Sequence, residues 1–231
     1  MKRTAFIVGL GLLLTGMAAC EKDNYDAPDA ALYGNIYDAG TKTLLEQDVI
    51  RGSVVELKEH GWDNVQPQWL IFKTDGSYEN SLLFEANYTV APVRGNFIPV
   101  EPQDVRIAGR TQLDFNVTPY IRIVSPTITR TGNLVTATFQ LQQQVTNNVR
   151  KIGLYAHSDF RVGETLRLTA AEQDINAVTD PATTYTLTID LNAPNVRDIL
   201  KPGRTYYFRI GALIDAVESK PNYAKAVSFD L

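Results

Sequence analysis

The sequence has few of the residues that build metal sites and covalent active sites. Its 231 residues include one cysteine, Cys20, and two histidines, His60 and His157. Zinc sites need several such ligands close together, and neither histidine lies in a Gly-x-Ser-x-Gly or similar frame. A phosphate-binding Gly-x-x-x-x-Gly-Lys loop is also missing. We therefore expect no metal, no cofactor and no enzyme activity, although spacing alone cannot exclude the paired carboxylates of a glycosidase.

Clustered positive charge is equally scarce. The chain has 22 lysines and arginines against 26 aspartates and glutamates. Removal of an N-terminal segment that carries Lys2 and Arg3 leaves 20 basic residues against all 26 acidic ones, a formal charge near −6. Binding to phosphate backbones needs clustered lysine and arginine. We therefore expect no nucleic-acid partner.

The N-terminus has an apolar run, residues 5–14, that is shorter than the roughly 20 residues of a membrane-spanning helix. Lys2 and Arg3 precede this run, and the small residues Ala18 and Ala19 follow it before Cys20. This order is typical of a signal peptide, here residues 1–19. The isolated cysteine would then have no disulfide partner, which favours another role for its thiol.

The tetrad Met17-Ala18-Ala19-Cys20 resembles the lipobox of bacterial lipoproteins. The resemblance implies that Cys20 becomes the lipidated first residue and that residues 20–30 form a tether. An ordinary secretory signal with a chance cysteine is the alternative. The acidic stretch after Cys20 resembles the surface-export signal of Bacteroidetes lipoproteins, which implies a lipid anchor in the outer membrane at the cell surface, with the periplasmic face as the alternative.

Short strands separated by turn residues fill the rest of the chain, and no helical periodicity interrupts them in the first half. One predicted strand, residues 69–72, leads through Asp75-Gly76 into residues 77–79, a hairpin signal. Thr118-Pro119-Tyr120 is a predicted junction. The fold class expected is all-β, with two consecutive antiparallel β-sandwich domains at residues 31–118 and 119–231. In the second, Val135, Ala137, Phe139 and Leu141 alternate as in a half-buried strand, and residues 169–173 could form one helical turn.

Two sets of motifs resemble known sandwich families. Gly34-x-Ile36-x-Asp38, Thr74-Asp75-Gly76-Ser77-Tyr78 and Tyr88-x-Val90 are similar to the carboxypeptidase-regulatory, transthyretin-like domain. Leu200-x-Pro202 and Tyr206-x-Phe208-x-Ile210 resemble the E–F corner of immunoglobulin-like and fibronectin type III domains. That resemblance implies that the Tyr206 hydroxyl bonds backbone upstream of its strand.

A lipoprotein signal followed by these two domains resembles a family of two-domain Bacteroidetes lipoproteins often encoded beside glycan importers of the SusC/SusD type. The resemblance implies a non-catalytic accessory or glycan-binding component of polysaccharide uptake, with a glycan, an importer complex or both as partners. A structural or adhesin-like envelope module that binds other proteins is the alternative. Residues 226–231 could then act as a donor strand, or simply close their own sheet.

One loop combines both tryptophans with polar side chains that suit sugar hydroxyls. We name five candidate ligand-binding residues, which are Trp62, Asp63, Asn64, Gln66 and Trp69. Alternatively, Trp69 heads a strand as a core residue and Trp62 caps the edge of the sandwich. His60-Gly61-Trp62-Asp63 is similar to the His-x-x-Glu of zinc carboxypeptidases, but without a third ligand a plain loop histidine is favoured.

Overall fold

A computed structural model describes residues 26–231. The signal peptide, Cys20 and the first part of the tether lie outside the described residues, so the predictions about them stay predictions. The described chain consists of strands that form two sandwiches, and a single short helix, α1, Pro194–Arg197. The all-β, two-sandwich prediction is confirmed. Within this range no helix is long and apolar enough to cross a membrane.

The first sandwich contains two sheets. Its strands are β1 (Ala30–Asp38), β2 (Val54–Glu59), β3 (Gln68–Ile71), β4 (Ser77–Leu83), β5 (Ala86–Val93), β6 (Gln103–Ile107), β7 (Arg110–Gln112) and β8 (Phe115–Val117). One sheet has the order β3-β2-β5-β6 and is antiparallel. In the other, β1 lies between β4, which is antiparallel to it, and the short strands β7 and β8, which are parallel to it.

The second sandwich also contains two sheets. Its strands are β9 (Ile121–Thr131), β10 (Leu134–Gln143), β11 (Val149–His157), β12 (Thr169–Ala177), β13 (Tyr185–Asp190), β14 (Thr205–Ile214), β15 (Asn222–Tyr223) and β16 (Val227–Asp230). One sheet has the order β13-β10-β9, and the other has the order β12-β11-β14 with β15 and β16 both pairing with β14. Because β16 closes its own sheet, it is not a free donor strand.

Each sandwich has its own core, built by alternation along the strands. In β10 the predicted inward residues Val135, Ala137, Phe139 and Leu141 are all buried. Facing strands of the first sandwich behave in the same way, with Leu32, Ile36, Val55, Leu57 and Val90 in one cluster. Side chains on a strand point alternately to the two faces of a sheet, so the intervening residues lie outside these cores.

Three local predictions have different outcomes in the structure. Tyr206 does form the expected corner, since its hydroxyl accepts a hydrogen bond from the Lys201 amide at 2.9 Å. The helical turn predicted at residues 169–173 is wrong, because this segment belongs to β12 and pairs with β11. The turn at Asp75-Gly76 forms, with Gly76 at φ +83°, but the hairpin does not: β3 pairs with β2 and β4 with β1, so the turn connects two sheets.

A buried polar joint holds the two sandwiches together. The Asn222 side chain accepts from the Ile121 amide at 3.1 Å and donates to the Asn96 carbonyl at 2.8 Å. The backbone of Tyr120 at the junction also donates to the Asn96 carbonyl, at 3.0 Å. Arg209 of β14 is fully buried and reaches Glu46 of the first sandwich at 2.6 Å. These contacts fix how one sandwich is placed against the other.

Candidate functional site: the outer face of the first sandwich

The sheet β3-β2-β5-β6 has one face in the core and one face towards solvent. In β3, Leu70 is 8% exposed, whereas Trp69 and Ile71 are 50% and 61% exposed. Trp69 pairs with Glu56 and Ile71 pairs with Val54, so these side chains share the solvent face. We call this surface the outer face. The alternative that Trp69 heads its strand as a core residue is therefore wrong, because the ring is half-exposed and the strand begins one residue earlier, at Gln68.

Arg94 lies over the Trp69 ring. Its guanidinium carbon is 4.5 Å from the ring centroid, within the range of a cation–π contact. Arg94 follows β5 and has φ +53°, a left-handed conformation. Its Nε is 3.9 Å from a carboxylate oxygen of Glu218 in the second sandwich. The contact orients the indole and places hydrogen-bond donors beside an exposed aromatic surface.

Polar groups continue from Trp69 across the outer face. Glu56, the cross-strand neighbour of Trp69, pairs with Lys58 at 2.6 Å. Beyond them, Thr89 donates from Oγ1 to Asp104 at 2.7 Å and accepts from His60 Nε2 at 2.8 Å. Because the threonine proton is directed to Asp104, His60 is not placed to remove it, and this trio lacks the geometry of an activated nucleophile.

The loop between β2 and β3 carries the other four candidate residues. Trp62 is 66% exposed, so its indole covers little of the sandwich edge, and Asp63, Asn64 and Gln66 are exposed as well. The side chains of these three polar residues make no hydrogen bonds within residues 26–231. Among the aromatic pairs of the described chain, the two tryptophans do not stack on each other. The loop and the outer face are thus adjacent along the chain but are not built into one closed pocket.

A groove continues from the outer face towards the second sandwich. It has a volume of about 250 Å³, and its walls include Arg94, Val93, Tyr120 and Val217. Val93 pairs with Val54, which pairs with Ile71 on its other side, so an apolar row crosses the outer face and leads to the groove. In the described part of the chain, no group of three or more histidine, cysteine, aspartate or glutamate side chains could hold a metal ion. The arrangement is suited to binding an extended, partly apolar ligand.

Comparison with known protein families identifies the chain. Residues 30–118 match the N-terminal domain of the protein family of unknown function DUF3823, and residues 121–228 match the C-terminal domain of the same family. The chain belongs to the DUF3823 family. None of the curated proteins is detectably similar to it.

Solved structures similar to this chain share its two-sandwich fold. A crystal structure from Bacteroides uniformis ATCC 8492, named a "putative carbohydrate binding protein", is 36% identical with a TM-score of 0.82, and the match covers 88% of this chain and 100% of that one. A DUF3823 protein from Parabacteroides merdae ATCC 43184 is 20% identical, with a TM-score of 0.74 and coverage of 89% and 100%. The prediction of a two-domain Bacteroidetes family is confirmed.

Sequence reasoning alone missed part of the outer face of this DUF3823 protein. Glu56 and Lys58 could have been predicted. They alternate with the apolar residues Val55 and Leu57, and alternation along a strand places the charged pair on the face opposite to the core. Arg94 carried no such signal. It reaches Trp69 only because β5 is paired to β2 and β2 to β3, a register that sequence reading did not supply.

Proposed function

We propose that this DUF3823 protein is a non-catalytic glycan-binding lipoprotein of the outer membrane, displayed at the cell surface as an accessory of polysaccharide uptake. The observation that carries the proposal is the half-exposed indole of Trp69 on the outer face, with Arg94 and Glu56 beside it. The 36% identical Bacteroides protein named for carbohydrate binding supports the same ligand class.

The chemistry of the outer face suits a sugar. The C–H groups on one face of a pyranose are apolar and pack on the electron-rich face of an aromatic ring. Hydroxyl groups around the ring need donors and acceptors, which Arg94, Glu56 and Lys58 supply next to Trp69. Asp63, Asn64 and Gln66 in the neighbouring loop add a carboxylate and two amides. None of these groups is hydrogen-bonded to another described side chain.

The proposal also includes the location at the outer membrane and the partner protein. A lipid on Cys20 would anchor the chain, and residues 21–29 would separate the sandwiches from the membrane before β1 begins at Ala30. A glycan importer of the SusC/SusD type is the proposed recipient of the bound polysaccharide. Fold alone does not establish such a role, which is why the ligand is tested first.

A glycan array tests the proposed ligand class. The chain from residue 26 to 231 holds both cores and every described strand, so it is the protein to apply. We expect binding to one or a few related oligosaccharides, lost in Trp69→Ala and weakened in Trp62→Ala. The matched control is Leu82→Ala, which removes an exposed apolar side chain of the same sandwich, away from the outer face.

Two results on the array would contradict the proposed glycan site. If the unmutated chain binds no glycan on the array, or if Trp69→Ala binds as well as Leu82→Ala, the outer face is not a carbohydrate site. A role in binding other envelope proteins would then take its place, and capture of partners by the lipidated form would be the next measurement.

A further inference from the structure

A second concavity lies between the two sandwiches and shares no residue with the outer face. It has a volume of about 330 Å³. The residues that line it and carry chemistry are Glu46, Lys73, Thr74 and Asp75 from the first sandwich and Phe160, Tyr207 and Lys225 from the second. We call it the interdomain cleft. Pockets that hold small ligands have volumes of about 300 to 1,000 Å³, so one sugar ring with its substituents fits.

Two aromatic side chains form the apolar wall of the interdomain cleft. Phe160 is 56% exposed, and its ring meets that of Tyr207 edge-to-face at a centroid distance of 6.4 Å. Covering apolar ring surface with a ligand removes it from water, which is favourable. The exposed aromatic surface therefore favours a ligand with an apolar face.

The charges around the interdomain cleft leave two cations available. Glu46 is committed to the buried guanidinium of Arg209 at 2.6 Å, and Asp75 accepts hydrogen bonds from the Ser77 amide and hydroxyl at 3.0 and 2.8 Å. Lys73 and Lys225 form no ion pair with any described residue. Asp75 keeps its negative charge, because the groups that donate to it are neutral. The three cations Lys73, Lys225 and Arg209 therefore exceed the two carboxylates Glu46 and Asp75 by one charge, on a chain whose formal charge is −4.

We propose that the interdomain cleft binds a sugar ring that carries an anionic group, a carboxylate or a sulfate. The C–H face of the ring lies against Phe160 and Tyr207, and the anion is bound by Lys73 and Lys225. This site is distinct from the outer face in position and in ligand charge. The protein would then bind a polysaccharide chain at the outer face and one charged sugar unit of it in the interdomain cleft.

A titration followed by NMR of the chain from residue 26 to 231 tests this proposal. The probes are galacturonate, galactose 6-sulfate and neutral galactose, which share one ring and differ in the anionic group. We expect at least one acidic sugar to bind about tenfold more tightly than galactose at low salt, with the difference shrinking as salt is added. The tighter of the two acids identifies the anion.

Variants separate the two walls of the interdomain cleft. Lys225→Gln should lower the affinity for the acidic sugar, and Lys73→Gln combined with Lys225→Gln should lower it to that for galactose. Phe160→Ala should weaken binding of every probe. Lys201→Gln, a change at an exposed lysine outside the cleft, should have no effect. Trp69→Ala should also have no effect, which distinguishes failure here from failure of the proposed function.

The proposal is overturned by any of three results. These are equal affinity for galactose and both acids, an acidic preference that survives the change of both Lys73 and Lys225 to glutamine, and the absence of saturable shifts with all three probes.

Discussion

Arg209 shows how one residue can join two domains. Its Nη1 donates to the carbonyl oxygens of Gln47 and Val162 at 3.1 and 3.2 Å, its Nε donates to that of Ala224 at 3.0 Å, and its Nη2 pairs with Glu46. Burial lowers the pKa of the guanidinium, while Glu46 acts in the opposite direction. Arginine fits this position because its planar fork of donors can satisfy several acceptors at once.

Substitution of Arg209 should destabilise the whole chain. In Arg209→Met, Glu46 keeps a largely desolvated carboxylate without a partner, and three carbonyls lose a donor. Removing one partner of a buried ion pair costs about 3 to 5 kcal/mol. Urea unfolding should show a loss of this size, whereas Arg150→Met, at an exposed position of β11, should stay within about 0.5 kcal/mol of the unmutated chain. An equal effect of the two changes would mean that Arg209 does not hold the joint.

At the scale of elements, β3 offers a matched pair of neighbouring residues. Leu70 is buried in the first core and Ile71 lies on the outer face. Leu70→Ala should lower the free energy of unfolding by about 2 to 4 kcal/mol, because it leaves a cavity. Ile71→Ala should cost about 0.5 kcal/mol or less. Chemical denaturation of the two variants measures the difference, and a larger cost for Ile71→Ala would reverse the faces of the strand and remove Trp69 from the surface.

The strands with a buried stripe were predictable from sequence, and those without one were not. Phe139 and its neighbours in β10 alternate cleanly, so the strand and its inward face both followed from the pattern. β12 is paired on one side only and has no fully buried residue, and its Ala-Ala-Glu segment favours a helix locally until pairing with β11 decides otherwise. Propensity is a weak guide when partners far away in the chain determine the structure.

The residues of the candidate site also divide into those that the sequence could predict and those that it could not. The loop with Trp62 and the polar residues beside it could be named from composition, because aromatic and amide residues cluster there in the chain. Arg94, the groove and the interdomain cleft depend on the order of strands in a sheet and on the contact between sandwiches. Arg209 carried no sequence signal at all, since a buried arginine cannot be told from a surface one by its neighbours in β14.

At the scale of the whole molecule, the buried joint and the proposed anchor act together. The joint fixes the outer face relative to the interdomain cleft, and the lipid on Cys20 would hold both at the membrane. Two acyl chains give stable attachment, since each buried methylene contributes about 0.8 kcal/mol. Cys20→Ser should therefore move the protein from the membrane fraction to the soluble fraction. Membrane retention of that variant would contradict lipidation.

A sugar that packs on the Trp69 ring changes the surroundings of that indole, and fluorescence measures this change directly. The chain has only two tryptophans, so Trp62→Phe leaves Trp69 as the single indole fluorophore. Titration of this variant with the oligosaccharide bound most strongly on the array should change the Trp69 emission saturably, at the concentrations at which calorimetry detects binding. Binding by calorimetry with unchanged Trp69 emission would place the glycan elsewhere and contradict a sugar site on the outer face.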